Sequence, residues 1–449
     1  MSKNVVVIGG GPAGVTAAVT VRRYYQDAEI TLIRREKKVL IPCGIPYIFG
    51  TLGSPEKNLI PDTVLSKNNV DLVIDEVISI DKIAKTLATA KGETLSYDKM
   101  IIATGSLPLI PPLPGVELNN VFVVKKDVEY LQKLSKALDK AKDVVIIGGG
   151  FIGLEFADEC NKRGNLNVTV VELLSHCLLL ACDHELCKKV EKKLSERGIK
   201  ILAGTKVKTI LGDESVQHIE LENGQKLKTD LVILGIGVRP NLELALKTGL
   251  NVDDKGGIQV DDFMRTSDKN IFAIGDCATK RCYLSGTPIG IRLASMGTTE
   301  ARVAGANLFS IRRRIDCAMG IFSTCFGDLC VGSAGLTERA AKEMGIDVVT
   351  GEAAAPDKHP GPMPGAKELG VRLIFEKDTG LLIGGQVYGG TTVGELINFI
   401  GALIQHKMRA DEVCTFQMGT HPMLTASPIA CQLVNAAQIA VVKLRQRDS

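Results

Sequence analysis

The sequence lacks any apolar run approaching the ~20 residues that a helix needs to cross a bilayer, so no membrane span is expected. It also lacks strong charge of one sign. The formal net charge is +3 and no basic stripe is visible, which argues against nucleic acid as a partner. The one basic run, Arg312-Arg313-Arg314, reads as a solvated connection between domains. An apolar strand begins at Val5, leaving no room before it for a signal peptide, so a cytoplasmic protein is expected.

Repeated C-x-x-C pairs are missing too. The 12 cysteines are scattered, which argues against a disulfide framework or an iron–sulfur cluster, and a reducing cytosol makes them thiols by default. Cys325 and Cys330 are included in that expectation. The densest group is His176-Cys177, Cys182, His184 and Cys187. Cys182-Asp183-His184-Glu185 reads as a helix start, and residues five apart on a helix point in different directions, so packing thiols are expected there rather than a zinc or iron site.

What is present is a globular composition, 45% hydrophobic and 23% charged, in 449 residues, too many for one core of ordinary size. Two or three domains are expected. Val5-Val6-Val7-Ile8 is a continuous apolar run, as a strand buried on both faces requires. It enters Gly9-Gly10-Gly11-Pro12-Ala13-Gly14 and then a small-residue helix. In such a G-x-G-x-x-G turn the first glycine permits the tight turn, the second lets a pyrophosphate reach the backbone, and the third brings helix and strand together. The helix N-terminus adds amide donors and a favourable dipole for phosphate.

The strand Glu29 to Ile33 should end in an acid for the ribose hydroxyls, but Arg34 stands there, followed by Arg35 and Glu36. Either Glu36 reaches back, or other donors hold the ribose and Arg34 lies over the adenosine. Residues 60 to 95 suggest short strands with turn signals at Asp71, Asp81 and Lys91-Gly92. A further buried strand ends in Ala103-Thr104-Gly105, and the prolines at 108, 111, 112 and 114 then mark a domain crossing.

The glycine turn recurs as Gly148-Gly149-Gly150-Phe151-Ile152-Gly153, with Glu155 on the following helix. Here the next strand does end in an acid, Glu172, which accepts from ribose hydroxyls and repels a 2′-phosphate, and no Arg or Lys follows before Lys188. NADH is expected over NADPH. Gly235-Ile236-Gly237 and Gly275-Asp276 each close an apolar strand, completing an internal duplication.

In this order the pieces resemble the FAD-dependent pyridine nucleotide-disulfide oxidoreductases over residues 5 to 277. The resemblance implies an α/β fold with two Rossmann-like domains, for FAD (1–112 and 250–320) and NAD(H) (113–249), and a C-terminal α+β dimerisation domain (321–449). It implies FAD at the first turn, NADH at the second, and Asp276 on the flavin ribityl chain. Pro42-Cys43-Gly44-Ile45-Pro46-Tyr47 resembles the single-cysteine branch, which includes coenzyme A-disulfide reductases, polysulfide and persulfide reductases, and NADH oxidases. The second cysteine of the two-cysteine branch is absent, its place taken by Ile48. Pro12 occupies the position where peroxidases and oxidases of the branch carry a turn histidine, which favours sulfur chemistry over peroxide or oxygen chemistry.

The expected reaction is hydride transfer from NADH through flavin and Cys43 to a disulfide, polysulfide or persulfide. The thiolate is the nucleophile, and flavin contact and a helix N-terminus are expected to make it available by lowering its pKa. The C-terminal strand Leu382 to Gly390 resembles that of the homodimeric members. The stretch from Phe416 to Pro422 lacks the tyrosines of known coenzyme A-disulfide reductases and resembles the His-Pro turn of the two-cysteine branch, although Ala426 replaces the supporting glutamate. His421 is therefore either an acid–base group across the dimer or a turn residue. Arg22 and Arg23 are either contacts for coenzyme A phosphates or an exposed helix face. An NADH oxidase and a flavoprotein serving a protein electron carrier are the alternative functions.

Overall fold

Val5, Val6, Val7 and Ile8 are all at most 6% exposed because the strand Asn4–Ile8 is covered on both faces. Side chains alternate along a strand. Val5 and Val7 therefore join one core with Ala17, Ala18, Val21 and Ala304, while Val6 and Ile8 join another with Ile80, Leu87 and Leu250. Each such side chain contributes roughly 1.5–3 kcal/mol through burial. The computed structural model describes residues 3–253, 256–315 and 318–446, so Cys317 lies outside the described residues.

The chain divides into two units. The first comprises residues 1–142, 210–217 and 229–318. Its centre is a five-stranded parallel sheet in the order Ile271–Ala273, Lys99–Ile102, Asn4–Ile8, Glu29–Arg34, Asp71–Ile74. The helix Pro12–Tyr24 packs on the helix Ala294–Asn307, and small residues let them approach. A Cβ on Gly305 would stand 2.9 Å from the side chain of Thr20. An antiparallel three-stranded sheet, Val77–Asp81, Thr86–Thr89 and Thr94–Ser96, supplies Ile80 and Leu87 to the second core. Asp71 opens a strand instead of marking a turn, because its chain pairs in register with Thr31.

The second unit comprises residues 143–209, 218–228 and 319–449. The strands Lys200–Leu202, Asn167–Val171 and Asp143–Ile147 pair in parallel. The helix Phe151–Asn161 follows the glycine turn, and His184–Glu196 begins where the Cys182-Asp183-His184 pattern predicts. A five-stranded antiparallel sheet runs Ile321–Phe326, Leu329–Gly335, Leu382–Gly389, Glu368–Glu376, Val348–Pro356. Helices Val393–Gln405 and Gln432–Arg445 bury Ile397, Ile400, Ala436 and Ala440.

One cysteine expectation is overturned. Cys325 and Cys330 face each other across the hairpin and form a disulfide. The two-residue turn Gly327-Asp328 places them opposite, an arrangement that a strand-by-strand reading of the sequence does not reveal. The three thiols of the His176 group are buried. His176 meets the His184 ring edge-on at 4.2 Å and bonds Glu191 through Nδ1 at 2.9 Å. Burial pushes the Cys177, Cys182 and Cys187 thiols upward, the last to about 12. Among the described residues no group of three or more His, Cys, Asp or Glu is placed to hold a metal ion.

Candidate functional site

In the first unit the glycine turn is held by contacts that leave no room for side chains. Gly9 has φ +116°, and a Cβ there would lie 2.2 Å from the carbonyl oxygen of Ala103. A Cβ on Gly14 would lie 1.9 Å from the Gly9 oxygen. Gly11 differs: it caps the 13-residue helix that starts at Pro12, and a Cβ on it would meet nothing within 4 Å. Open space at the amide end of a helix is what a pyrophosphate requires, so the residues present fit a dinucleotide.

Ala13 brings in a further element, since a Cβ on Gly275 would stand 3.1 Å from its methyl group. Asp276 follows. Its Oδ2 accepts from Ser106 Oγ at 2.7 Å and lies 3.5 Å from Lys126 Nζ. Thr104 donates to the Asn241 carbonyl, and Gly105 turns with φ +70° to deliver Ser106. Gly9, Gly11, Pro12, Ala13, Gly14, Ala103 and the Gly275-Asp276 turn thus converge. Gly237, with φ +108°, accepts from the Leu109 amide in the same unit.

Arg34 is not placed to lie over an adenosine, as was expected of it. Its side chain is 1% exposed and makes a two-pronged bond to Asp62, Nη1 to Oδ1 at 2.7 Å and Nη2 to Oδ2 at 2.8 Å. It also donates to the carbonyls of Glu36 and Lys37. The guanidinium is a brace for the loop after the strand, and its stem fills the space beside Gly10. The Glu36 carboxylate accepts from Arg35 Nε at 3.0 Å. Arg22 is likewise committed to backbone, donating to the carbonyls of Gln26, Asn68 and Asn69, while Arg23 is exposed. Asp62, Ser106 and Lys126 carry no motif of their own. Ser106 alone had a signal, its place directly after Ala-Thr-Gly.

Cys43 is an exposed thiol in the 3₁₀ turn Pro42–Gly44, which is followed at once by a second, Pro46–Phe49. It therefore stands in a chain of tight turns and not at the start of an α-helix. The turn is fixed from below. Ile45, Ile48 and Phe49 are at most 2% exposed, and Asn58, itself 3% exposed, donates to the Ile41 carbonyl at 2.9 Å. A Cβ on Gly44 would collide with Asn58 Oδ1 at 2.0 Å, so glycine after the cysteine is a packing requirement.

In the second unit the same turn recurs. Gly148 has φ +109°, a Cβ on Gly153 would lie 1.9 Å from its oxygen, and Gly150 opens on empty space. Glu172 accepts from the amides of Gly149 at 2.5 Å and Leu174 at 2.6 Å. The acid thereby fixes the glycine loop from the end of the strand Asn167–Val171. Phe151 meets the Phe322 ring at 4.0 Å, and Ile152 is 39% exposed. Glu155 accepts from Thr324 Oγ1 at 2.8 Å, and burial pushes its carboxyl up to about 7, with Glu159 adding to the effect and Thr324 opposing it.

His421 is exposed on the C-terminal loop. Its Nδ1 accepts from the Met423 amide at 3.2 Å, which places the proton of a neutral ring on Nε2. Its own amide donates to Thr425 Oγ1. His359 braces the turn through bonds to the Pro422 and Thr425 carbonyls, in the absence of a glutamate at Ala426.

Two glycine turns of this geometry, each between a buried parallel strand and a helix, define a protein that handles two dinucleotides. Comparison with known proteins gives the family. Residues 3–303 match the pyridine nucleotide-disulphide oxidoreductases and 321–429 match their dimerisation domain, so the chain belongs to that family. It is an oxidoreductase that uses FAD and NAD(P)H. An NADH oxidase of Methanocaldococcus jannaschii is 32% identical, covering 98% of this chain and 99% of its own. An NAD(P)H coenzyme A polysulfide/persulfide reductase of Pyrococcus horikoshii is 33% identical, covering 87% and 88%. The structure of an NAD-dependent persulfide reductase from A. fulgidus superposes with a TM-score of 0.91 at 32% identity, covering 99% of this chain and 84% of that one. No helix among the described residues is long and apolar enough to cross a membrane.

Proposed function

We propose that this chain reduces a small disulfide, polysulfide or persulfide, such as a coenzyme A derivative, with NADH, through Cys43. One observation carries the reading: the exposed Cys43 thiol, held outward by a rigid turn in the unit that bears the Gly9 and Asp276 cluster. The polysulfide/persulfide reductase relatives support the same chemistry. FAD, when bound, accepts hydride from NADH and returns two electrons to sulfur. Gly11 and the helix behind it would hold its pyrophosphate, and Asp276 would accept from its ribityl chain. Gly150, Phe151, Ile152 and Gly153 form the cradle for NADH, and the Glu172 carboxylate disfavours a 2′-phosphate.

The Cys43 thiolate attacks one sulfur of the substrate RSSR′, forming Cys43–S–S–R and releasing R′S⁻. Two electrons then break that bond, regenerating the thiolate and releasing RSH. NADH, one proton and RSSR′ give NAD⁺, RSH and R′SH. The protein acts as a cytoplasmic homodimer in which His421, protonated on Nε2, serves the leaving thiolate beside the partner's Cys43. The FAD segments are 1–112 and 250–320, the NADH segment is 113–249, and 321–449 forms the dimer contact.

Cys43→Ser tests this. The variant should keep FAD and its anaerobic reduction by NADH, and lose at least about a thousandfold in NADH-dependent disulfide or polysulfide turnover. Full retention of that turnover would sink the proposal. The M. jannaschii relative named NADH oxidase supports a second reading, oxygen reduction. In that case oxygen consumption is the main activity of the wild type and substrate disulfides do not compete with it.

A further inference from the structure

The first unit buries a complete ion pair that the hydride relay does not use. Lys280 and Glu300 are each 1% exposed and meet at 3.1 Å. Burying two charges costs several kcal/mol per ion, and the attraction repays this only when the geometry is good and the remaining polar atoms are satisfied. Here they are satisfied by one residue above all. Glu300 Oε2 accepts from the Gly275 amide at 2.6 Å, and Lys280 Nζ donates to the Gly275 carbonyl at 2.6 Å. The third ammonium direction goes to the Ala278 carbonyl at 3.0 Å. A single ion pair thus grips both backbone polar groups of one glycine.

That glycine precedes Asp276. It has φ +74°, in the left-handed region, and sits where a Cβ would crowd Ala13. Gly297, on the helix that carries Glu300, approaches it so closely that a Cβ there would stand 3.2 Å from the Gly275 Cα. The direction of the Asp276 side chain depends on the Gly275 torsions, and Ser106 and Lys126 then fix Oδ2. A peptide group between two glycine-lined helices has few side-chain contacts to hold it, so hydrogen bonds must do so.

We propose that Lys280 and Glu300 are positioning residues for FAD: by clamping Gly275 they set the direction in which Asp276 meets the ribityl chain. The proposal rests on the reading of Asp276 as a flavin ligand. Neither residue touches the flavin in this scheme. A buried pair serving only the core can be replaced by neutral residues of similar size at little cost, whereas a clamp cannot, because methionine at 280 donates nothing to the Gly275 carbonyl.

The test uses the full-length chain carrying Lys280→Met/Glu300→Gln, a neutral pair of similar volume, beside Glu300→Gln alone and Asp276→Asn. FAD affinity is read by flavin fluorescence, and the environment of bound flavin by circular dichroism in the visible region. The double variant should bind FAD about tenfold more weakly, the effect of one lost hydrogen bond to a charged group, with an altered visible dichroism. Glu300→Gln, which still accepts from Gly275, should lose less. The FAD-stripped double variant should melt within a few degrees of the stripped wild type. Wild-type FAD affinity and dichroism in the double variant would overturn the proposal, as would a collapse in the melting of its stripped form. If Asp276→Asn leaves FAD binding intact, the reading of Asp276 itself falls, and that result is separate from the other two.

Discussion

The two glycine turns have almost the same backbone and opposite chemistry at the end of the next strand. Gly9 and Gly148 lie at φ +116° and +109°, and Gly14 and Gly153 each stand over the preceding turn with the same 1.9 Å clearance for a Cβ. Yet Arg34 follows one and Glu172 the other. In the second turn the acid reaches back and ties down the Gly149 amide. In the first, the arginine reaches forward, to Asp62 and the carbonyls of Glu36 and Lys37. The backbone of a dinucleotide turn is therefore independent of the ribose acid, while the loop beyond the strand is not. The helices differ as well: Pro12–Tyr24 leans on another helix, whereas Phe151–Asn161 leans on a hairpin through Phe322 and Thr324.

The comparison breaks most severely at Arg34. Arg34→Met removes a buried cation from a half-exposed Asp62 and frees two carbonyls, and should cost about 3 kcal/mol in urea unfolding. Arg34→Glu, which restores the acid found in the second turn, should be worse and should also lose FAD, since it sets a carboxylate against Asp62 and two carbonyl oxygens. An Arg34→Glu protein with improved FAD affinity would mean that the two turns are interchangeable after all.

The hairpin under the second helix offers the next largest effect. Reduction of Cys325–Cys330, or Cys325→Ser/Cys330→Ser, should lower stability by about 2 kcal/mol, the loop-closure contribution of so short a ring. Mass spectrometry after alkylation shows whether the bond is present. Weaker NADH binding in the reduced protein would show that the helix depends on this support; unchanged binding would show that it does not. At Glu172 the expected effect is smaller. Glu172→Gln can accept with only one oxygen where two amides now donate, and should raise the Kd for NADH about tenfold while leaving FAD binding untouched.

Both turns were readable from sequence because their requirements are local: a glycine at a positive φ, and another where backbone lies within van der Waals reach. The departure at Arg34 was readable too, but not its cause, since Asp62 stands 28 residues away in a stretch without a motif. Glu300 and Lys280 are invisible for the same reason, being a lone acid in a small-residue helix and a lysine in a two-residue strand. Cys325 and Cys330 could have been paired by recognising Gly327-Asp328 as a two-residue turn, which puts residues five apart directly across a ladder. Cys43 was conspicuous because proline and glycine flank it. The reason for the glycine, Asn58, emerges only when the chain folds back.

The smallest effect concerns the support that the second helix receives. Glu155 is pushed up to about 7 by burial, and the Thr324 hydroxyl pulls in the opposite direction by donating to its carboxylate. Thr324→Val removes the donor, so the carboxyl should rise further, and any step needing it ionised should move to higher pH. The sign on stability follows from proton counting. The folded chain holds this proton at pH values where the unfolded chain has already released it, so stability falls as pH rises from the ordinary glutamate value of 4.5 through about 7. Thr324→Val should extend that decline upward in pH, and Glu155→Gln should remove it. Urea midpoints across this range measure both. Identical pH profiles for wild type and Thr324→Val would mean that Glu155 does not sense the hairpin, and that the second helix resembles the first in its independence from what it leans on.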